Sequence, residues 1–299
     1  MENLNFELIK TLEHGANKQQ YATLNKTQET VDYDTKFELT FNDVVGMTKA
    51  VEIVAEFFDV KCAVLVKNSR VTGVALGADL SEALVKAIDC NPVDALSGTV
   101  AFSSCVDKKT AMQLSAGHLV VAPDFDDDAI KVFDKNSVRY VKLNTPLNEV
   151  KNFVEEEVLI TPFGTLVQEY NKTELSKDNF KVVTKQKPTV EQIEDCIFAW
   201  KVAKYVKSNA VIVAKDFKTL AIGQGLQSQA VEFAMNYACD TAKEAVMASD
   251  LPITVADFNA AVQNRVSVFI LPGVTQEIIK LADKYEKIII TTGFTTSLN

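Results

Sequence analysis

Few side chains in this sequence suit acid–base or anion-binding chemistry near neutral pH. The 299 residues include two histidines, His14 and His118, and three arginines, Arg70, Arg139 and Arg265. Histidine is the side chain that most often transfers protons near neutral pH, and arginine is preferred for binding a phosphate through two parallel hydrogen bonds. A histidine mechanism or an arginine phosphate site would therefore have to come from this short set.

Lys67 is the first candidate catalytic residue, because it stands at the end of an apolar run, residues 62–67, that predicts a buried strand. A lysine at the end of a buried strand can lie close to a developing oxyanion and stabilise it. Alternatively, desolvation can lower its pKa enough for it to donate and accept protons. The alternative is an ordinary strand-end lysine that points into solvent. The residues alone leave both roles open.

Composition argues against several classes of protein. The net charge is −9, whereas nonspecific nucleic-acid binding needs concentrated cations. No stretch approaches the ~20 apolar residues of a membrane span, and the acidic start, residues 1–7, is not a signal peptide. Five cysteines without C-x-x-C spacing are typical of reduced core residues in a cytoplasmic protein, rather than of disulfides or a zinc site.

Apolar runs alternate with amphipathic stretches along the chain. The runs predict buried strands at residues 62–67, 119–122, 210–214, 266–271 and 287–291. Helices are predicted over 44–58, after the cap Asp79 with Glu82 in capping-box position, and from Pro188 towards Ser208. This βα alternation predicts an α/β protein in which helices cover a sheet.

Two polar stretches, 136–157 and 171–188, are typical of surface connections, and the acidic run 155–157 is typical of a solvated face. We therefore predict two α/β lobes. Residues 1–150 form the first lobe, and residues 151–299 form the connection and the second lobe.

Eight short segments match one known family in order and spacing. They resemble, in turn, R-Y-G-x-N-P-H-Q (through Gly15, Asn17 and Gln20), V-K-H-x-x-P-x-G (66–73), D-P-V-S-A-F-G-G (91–98), V-T-K-R-x-P-T (183–189), F-A-W-K-V-x-K-x-V-K-S-N-A (198–210), I-G-A-G-Q-x-S-R (222–229), A-S-D (248–250) and Q-P-G (271–273). Each segment alone is weak, but eight in the right order are specific. The chain resembles the AICAR transformylase half of the AICAR transformylase/IMP cyclohydrolase family, where AICAR is 5-aminoimidazole-4-carboxamide ribonucleotide.

The resemblance implies two cytidine-deaminase-like α/β lobes, a homodimer and an active site near the subunit interface. It implies formyl transfer from the co-substrate 10-formyltetrahydrofolate to the 5-amino group of AICAR, a small nucleotide-like substrate. Because the opening motif begins at Glu13, we expect no IMP cyclohydrolase domain ahead of it.

The resemblance also assigns roles to residues. Lys67 occupies the catalytic lysine position, and Asn209 the position of an asparagine that contacts the nucleotide and the formyl-transfer centre. Asn209 could also cap the turn into the following strand, and the two roles are compatible. Ser208 and Asp250 fall where some family members hold a monovalent cation such as K⁺. The remaining substrate-binding positions are Asn17, Asn68, Ser97, Gly98 and Gln229.

Departures from the family pattern are concentrated at functional positions. Asn68 replaces the catalytic histidine, and an amide cannot shuttle protons. Glu13, Gln229 and Thr295 replace arginines, and Gln19 replaces the histidine of the opening motif. The family's C-terminal R-H-F reads T-T-S at 295–297, and its aromatic A-F-F-P-F segment reads L-P-I-T-V at 251–255. The 31 basic residues comprise 28 lysines and three arginines. If compositional drift had merely exchanged arginine for lysine, lysines would stand at these positions. The pattern predicts weakened or altered activity.

Three functions fit these observations. The first is a divergent transformylase that acts on AICAR or a related ribonucleotide. The second is an enzyme that acts on a small amine without a phosphate, which the lost arginines and the surviving Lys67 favour over the first. The third is a non-catalytic homologue that serves as a ligand-binding or dimeric scaffold, which the lost histidine and aromatic segment favour over both. His14, His118 or Arg70 could substitute for lost residues, although each is more simply an ordinary structural or surface residue.

Overall fold

The computed structural model describes residues 7–15, 17–26, 30–150, 153–154, 156–173 and 179–295. The strands are β1 (Glu7–Thr11), β2 (Thr23–Lys26), β3 (Tyr33–Asp34), β4 (Cys62–Lys67), β5 (Arg70–Leu76), β6 (Gly98–Phe102), β7 (His118–Ala122), β8 (Arg139–Leu143), β9 (Glu156–Thr161), β10 (Gly164–Glu169), β11 (Lys181–Val182), β12 (Ala210–Lys215), β13 (Lys218–Gln224), β14 (Val246–Ser249), β15 (Val268–Leu271) and β16 (Ile288–Thr291). The helices are α1 (Phe41–Ala55), α2 (Leu80–Cys90), α3 (Lys108–Ala111), α4 (Asp127–Asn136), α5 (Leu147–Val150), α6 (Val190–Ala203), α7 (Gln227–Ala238), α8 (Val255–Gln263) and α9 (Gln276–Lys284).

One mixed sheet runs through both halves of the described chain, in the order β11-β16-β15-β14-β12-β13-β5-β4-β6-β7-β8-β3. The halves repeat each other: β4–β5 and β12–β13 are antiparallel hairpins, and β6–β7–β8 and β14–β15–β16 run parallel. They meet where β5 and β13 pair antiparallel, with Lys218 opposite Ala75. The predicted α/β fold is confirmed, whereas the lobe boundaries and the cytidine-deaminase likeness stay predictions.

Helices cover both faces of this sheet. The core under α1 and α6 on one face contains Val64 and Ile212, and it continues across the two halves. On the other face, α2, α3 and α4 cover the first half, and α7, α8 and α9 cover the second. Consecutive residues of β4 alternate between the two faces, since Val64 and Leu65 belong to different clusters. Burial on both faces explains why β4 is a continuous apolar run.

Several predictions at the level of elements need correction. The predicted connection 136–157 contains β8, whose alternating polar and apolar residues leave only Val141 and Leu143 fully buried. The connection 171–188 contributes β11, an edge strand paired with β16. The predicted helix over 44–58 ends at Ala55. Glu155 of the predicted acidic face lies outside the described residues.

The cysteines are only partly core residues. Cys62, Cys90 and Cys196 are buried, whereas Cys105 and Cys239 are exposed. Burial raises the pKa of the Cys90 thiol to about 11, which keeps it protonated near neutral pH. Within the described ranges, no helix combines the length and apolar character needed to cross a membrane.

The start of α1 is fixed by a capping box and a bidentate ion pair. Thr40 caps the helix, and Asp43 accepts hydrogen bonds from the Thr40 backbone N–H and hydroxyl. Both terminal nitrogens of Arg139 donate to the Asp43 carboxylate at 2.8 Å. Burial alone would raise the pKa of Asp43, but the hydrogen bonds from Arg139 and Thr40 outweigh it and hold the pKa below its usual range.

The Asp43→Asn variant is therefore expected to be less stable by about 2 kcal/mol near pH 7, because it leaves a half-buried arginine without its partner. Because the pKa of Asp43 is lower in the folded protein than in the unfolded chain, where it is about 3.9, the Asp43 carboxylate stabilises the fold fully above the unfolded pKa. This stabilisation is lost as the pH falls through the pKa of Asp43 in the folded protein. The variant should lose correspondingly less stability on acidification. Urea unfolding near pH 7 and near pH 3 measures both effects. Asp134→Asn is the control, since its pair with Lys36 is half exposed; equal losses for the two variants at both pH values would refute the expectation.

Candidate functional site

Most predicted site residues lie along one edge of the sheet. β4 ends at this edge with Lys67, and the antiparallel β6 begins there with Gly98. Because β5, β13, β12 and β14 are successively antiparallel, the same edge carries Asn209, just before β12, and Asp250, just after β14. The sheet thus brings distant parts of the sequence to a shared edge.

Lys67 is held by a carboxylate that the family motif does not contain. Its Nζ lies 3.2 Å from Asp94 Oδ1. Asn91 holds Asp94 in turn, because Asn91 Nδ2 donates to Asp94 Oδ2 at 2.9 Å and the Asp94 backbone N–H donates to Asn91 Oδ1 at 3.1 Å. Asp94 stands at the serine position of D-P-V-S-A-F-G-G, so the motif comparison carried a signal for it that sequence reasoning missed. The positive charge of Lys67 is already engaged within the fold.

Asn68 forms the tip of the β4–β5 hairpin together with Ser69. Both residues are exposed and have positive φ angles, 49° and 62°. Lys67 pairs with Arg70 across this two-residue turn. A turn that needs positive φ at both central residues favours asparagine. Asparagine at this position is therefore compatible with the geometry of the turn.

Gly98 allows β6 to approach the end of β4. A Cβ atom at Gly98 would lie 2.4 Å from the Val66 carbonyl oxygen and 3.3 Å from Lys67 Cα, and the φ angle of 118° itself favours glycine. Ser97, directly before it, is half-buried. Close backbone packing thus explains the glycine, and it fixes the backbone that carries Lys67.

Asn209 joins the turn before β12 to the end of β13. Its backbone N–H and its Nδ2 both donate to the Gly225 carbonyl oxygen, at 3.0 and 2.7 Å. This is the turn-capping role that the sequence allowed. Lys67 and Asn209 are three strand spacings apart in the sheet, which corresponds to about 14 Å between their backbones. That they share one cleft stays a prediction.

Asp250 closes the same junction from the β14 side. It is fully buried; Oδ2 accepts a hydrogen bond from Ser208 Oγ at 2.5 Å, and Oδ1 accepts one from the Ala210 backbone N–H at 2.8 Å. Burial raises the pKa of Asp250, and these hydrogen bonds oppose the rise. In the first half Ser103 takes the equivalent place, since it accepts from the Cys62 N–H at 2.9 Å. A neutral side chain is therefore sufficient to join the strands in this way.

The monovalent-cation site at Ser208 and Asp250 stays a prediction, and in the structure these two side chains are hydrogen-bonded to each other. A cation between them would have to replace the hydrogen bond that links them. Among the described residues, no group of three or more histidine, cysteine, aspartate and glutamate side chains is placed to hold a metal ion.

The surviving residues of the opening motif hold one another. The backbone N–H and Nδ2 of Asn17 both donate to Gln20 Oε1 at 2.9 Å, and the Gly15 N–H donates to the Gln20 carbonyl at 2.7 Å. The replaced positions, Glu13 and Gln19, are exposed. The retained residues of the motif are thus those that build the loop through hydrogen bonds to one another.

The candidate substitutes for lost residues are mostly committed to the fold. His118 is buried, with Nδ1 accepting from the Ser115 N–H at 3.1 Å and Nε2 lying 2.9 Å from the Ala95 carbonyl oxygen. His14 Nδ1 lies 2.7 Å from the Gly15 carbonyl oxygen. Arg70 is exposed, and Arg139, which sequence reasoning passed over, is bound to Asp43.

The remaining arginine positions also face solvent. Gln229 lies in the first turn of α7 and is exposed, as is Thr295 near the end of the described residues. Thr296 and Ser297, which stand at the rest of the family's R-H-F segment, lie outside the described residues.

Comparison with known proteins decides the family. The profile of a family described as "AICARFT/IMPCHase bienzyme" matches residues 1–238. The chain belongs to the AICARFT/IMPCHase family. The resemblance drawn from the eight motifs is confirmed.

Named relatives in the AICARFT/IMPCHase family agree with this assignment. The chain is 36% identical over 307 residues to the bifunctional purine biosynthesis protein PurH of Caldicellulosiruptor saccharolyticus, which covers 96% of this chain and 58% of the relative. It is 38% identical over 266 residues to PurH of a Thermoanaerobacter species, with 86% and 51% covered. PurH of Clostridium botulinum is 36% identical over 264 residues, again with 86% and 51% covered. The chain spans about half the length of these curated relatives.

Proposed function

We propose that this chain transfers a formyl group from 10-formyltetrahydrofolate to AICAR or a related amine, with weakened or altered activity relative to its family. We further propose that it works in the cytoplasm, in purine nucleotide biosynthesis, as a homodimer of two-lobed, cytidine-deaminase-like subunits. The supporting observation is that Lys67 is retained at a sheet edge where Gly98 fixes its backbone and Asp94 holds its side chain.

The reaction sets out what these residues would do. The acceptor amine attacks the formyl carbon, an oxyanion develops on the formyl oxygen, the amine loses a proton, and the folate nitrogen leaves and is protonated. The Lys67 ammonium group would stabilise the oxyanion. The Asp94 carboxylate, which lies 3.2 Å from the Lys67 ammonium group, would accept the amine proton in place of the histidine that Asn68 replaces.

The lost arginines bear on the acceptor. Glu13, Gln229 and Thr295 bring no positive charge to the positions where the family has arginine. Charge-assisted contacts to phosphate are among the stronger hydrogen bonds in proteins, so their loss removes the main reason to prefer a phosphorylated acceptor. An amine without a phosphate therefore fits better than AICAR itself.

The internal repeat supplies matched controls for this proposal. Lys215 ends β12 as Lys67 ends β4, but at the opposite edge, where it contacts the Lys243 carbonyl and Glu244. Lys67→Met is expected to lower formyl transfer by about 100-fold or more, because a preorganised oxyanion donor is worth about that much, whereas Lys215→Met should leave it within a few fold. Asp94→Asn should likewise lower transfer, while Asp89→Asn, which breaks the similar Lys218 pair, should not. Tetrahydrofolate release with a panel of amine acceptors gives the rates; equal effects within each pair would count against the proposal.

A specific observation also favours the non-catalytic alternative. Lys67 is neutralised by Asp94, and both ring nitrogens of His118 are used within the fold. A scaffold that needs no chemistry could tolerate both arrangements. Absence of transfer to every acceptor, from protein that is folded and dimeric, would support this alternative over the enzyme.

A further inference from the structure

A cavity with a mainly apolar lining opens on the α1 face of the sheet. It has a volume of about 630 Å³ and lies between the β1–β2 hairpin, β3, α1 and the segment that follows β10. Val44, Met47 and Val51 of α1 and Leu143 at the end of β8 form part of its wall. Pockets that hold small organic molecules have volumes of about 300–1,000 Å³ and mainly apolar linings. The cavity therefore has the size and character of a small-molecule site.

This cavity is separate from the sheet edge that carries the candidate catalytic lysine. Met47, Val51 and Leu143, which line the cavity, belong to the core under α1 and α6. Lys67 instead meets Asp94, which follows α2, a helix that covers the other face of the sheet. A ligand in the cavity would not contact Lys67, so its binding is independent of formyl transfer.

One carboxylate in the wall of the cavity is only partly satisfied. Glu52 is half-buried on α1, and its Oε1 accepts a hydrogen bond from the Tyr170 hydroxyl at 3.0 Å. Within the described ranges, its Oε2 accepts no hydrogen bond, and no lysine or arginine forms an ion pair with this carboxylate. Glu56, one turn later, is by contrast bound by the Tyr205 hydroxyl at 2.8 Å and by Lys204 Nζ at 3.3 Å. Glu52 thus offers an oxygen to a ligand in the cavity, and a carboxylate in such surroundings favours a cationic partner.

The charges around the cavity also favour a cation. Burial raises the pKa of the Glu52 carboxyl, and nearby hydrogen bonds and lysines only partly offset the rise, so that a cation beside it would stabilise the carboxylate. Asp32 and Asp34 are exposed at the rim, where both accept hydrogen bonds from Asn144 Nδ2, at 3.3 and 3.0 Å. Among the lining residues that the structure describes, the charged ones are these three carboxylates and one lysine, Lys10. The lining therefore carries an excess of negative charge.

Tyrosine rings add to the attraction for a cation. Tyr33, Tyr170 and Tyr205 all line the cavity, and the faces of such rings attract cations while their bodies pack against apolar groups. We propose that the cavity binds an organic monocation, whose ammonium group pairs with Glu52 and whose aromatic or aliphatic body fills the apolar space between α1 and β3. An anion would meet the carboxylates of the rim, and a neutral molecule would leave Glu52 without a counter-ion.

Tryptamine is a suitable probe, because it joins an ammonium group to an apolar ring system. Titration calorimetry of the full chain should give a dissociation constant of about 1 mM or tighter, as expected for a ligand of its size. Tryptophol, in which a hydroxyl replaces the ammonium group, should bind about 10-fold more weakly or worse, because a charge-assisted contact is lost. Indole-3-acetate, an anion, should bind more weakly still. Absence of tryptamine binding, or equally tight binding of either analogue, would overturn the proposal.

Substitutions in the cavity locate the bound amine. Glu52→Gln, whose amide oxygen can still accept from Tyr170, should weaken tryptamine binding about 10-fold or more and change tryptophol binding by less than about threefold. Glu232→Gln is the matched control and should leave binding unchanged, because Glu232 is exposed on α7, which covers the other face of the sheet. Thr48→Trp places a large ring in the cavity from an exposed position of α1, so it should weaken tryptamine and tryptophol alike.

The Lys67→Met variant separates this site from the candidate catalytic site. It should bind tryptamine as the unsubstituted chain does, whether or not the chain transfers a formyl group. Circular dichroism confirms that each variant is folded. Equal losses in Glu52→Gln and Glu232→Gln, unchanged binding in Thr48→Trp, or weakened binding in Lys67→Met would each show that the amine does not lie in the cavity.

Discussion

Formyl transfer from 10-formyltetrahydrofolate to AICAR is expected to run far below about one turnover per second, the lower end of ordinary enzyme rates. A general acid–base group is typically worth roughly 10²–10⁴-fold in rate, and Asn68 cannot serve as one. Of the possible replacements, His118 is buried with both ring nitrogens hydrogen-bonded, and Asp94 is already paired with Lys67. Spectrophotometric measurement of tetrahydrofolate formation at saturating folate gives the rate directly.

The Asn68→His variant should recover little of this activity. The positions of the family's arginines would still carry Glu13, Gln229 and Thr295. A rate close to one per second from the unsubstituted chain, or near-complete rescue by this single change, would show that the site is less altered than we infer.

The Gly223→Ala variant is expected to lose roughly 3 kcal/mol or more of stability. Gly223 lies where α7 packs on β13, and an added Cβ would come 2.0 Å from the Ala230 carbonyl oxygen and 2.8 Å from its carbon. These are backbone atoms, so relief requires the helix to move, which places the cost at or above the usual range for overpacking. Equilibrium urea unfolding measures the change.

Gly273→Ala is the control for this prediction. Gly273 also lies in a family motif, but an added Cβ would meet nothing within 4 Å there. Its stability should therefore change by no more than about 0.5–1 kcal/mol, the scale of an ordinary glycine-to-alanine effect. If the two variants unfold at the same urea concentration, the close approach of α7 to β13 is wrong.

Some strands buried on both faces were predicted from the sequence, whereas the equally buried β5, β6 and β14 and the half-exposed β8 were not. β4 and β12 are continuous apolar runs because helices cover both sides of the sheet, and the start of α6 is marked by Thr189, which forms a capping box with Gln192. β8 alternates polar and apolar residues beside the short edge strand β3, so it resembled a connection. The hairpin of β9 and β10 was missed because its large apolar residues are exposed, so that no buried face gave it a recognisable period.

The sequence predicted which residues lie at the candidate site, but it did not predict the hydrogen bonds and ion pairs that they form. Motif order placed Lys67, Gly98 and Asn209 in one family site, and the sheet brings all three to one edge. The pairing of Lys67 with Asp94 depends on the register of β4 and the turn at Asn91, which no local pattern specifies. Asp94 was visible only as a departure from the motif.

The retained motif residues share a physical role. Gly73 and Gly223 allow helices to pack closely on strands, since an added Cβ at either would lie 2.0 Å from a helix carbonyl oxygen. Gly15, Asn17 and Gln20 build one loop through mutual hydrogen bonds. The replaced arginine positions are exposed. The family sequence is thus kept where it builds the fold, and we infer that the changed arginine positions no longer bind a phosphate.

Calorimetric titration of the purified chain with AICAR tests this conclusion most directly. Each lost charge-assisted contact is worth roughly 1.5–3 kcal/mol, so several of them weaken binding by orders of magnitude. We expect a dissociation constant of about 1 mM or weaker, and a similar value for the riboside that lacks the 5′-phosphate. A folate analogue, titrated separately, shows whether the second substrate site is altered as well. Micromolar binding of AICAR, with a clear preference over the riboside, would contradict the loss of the phosphate site.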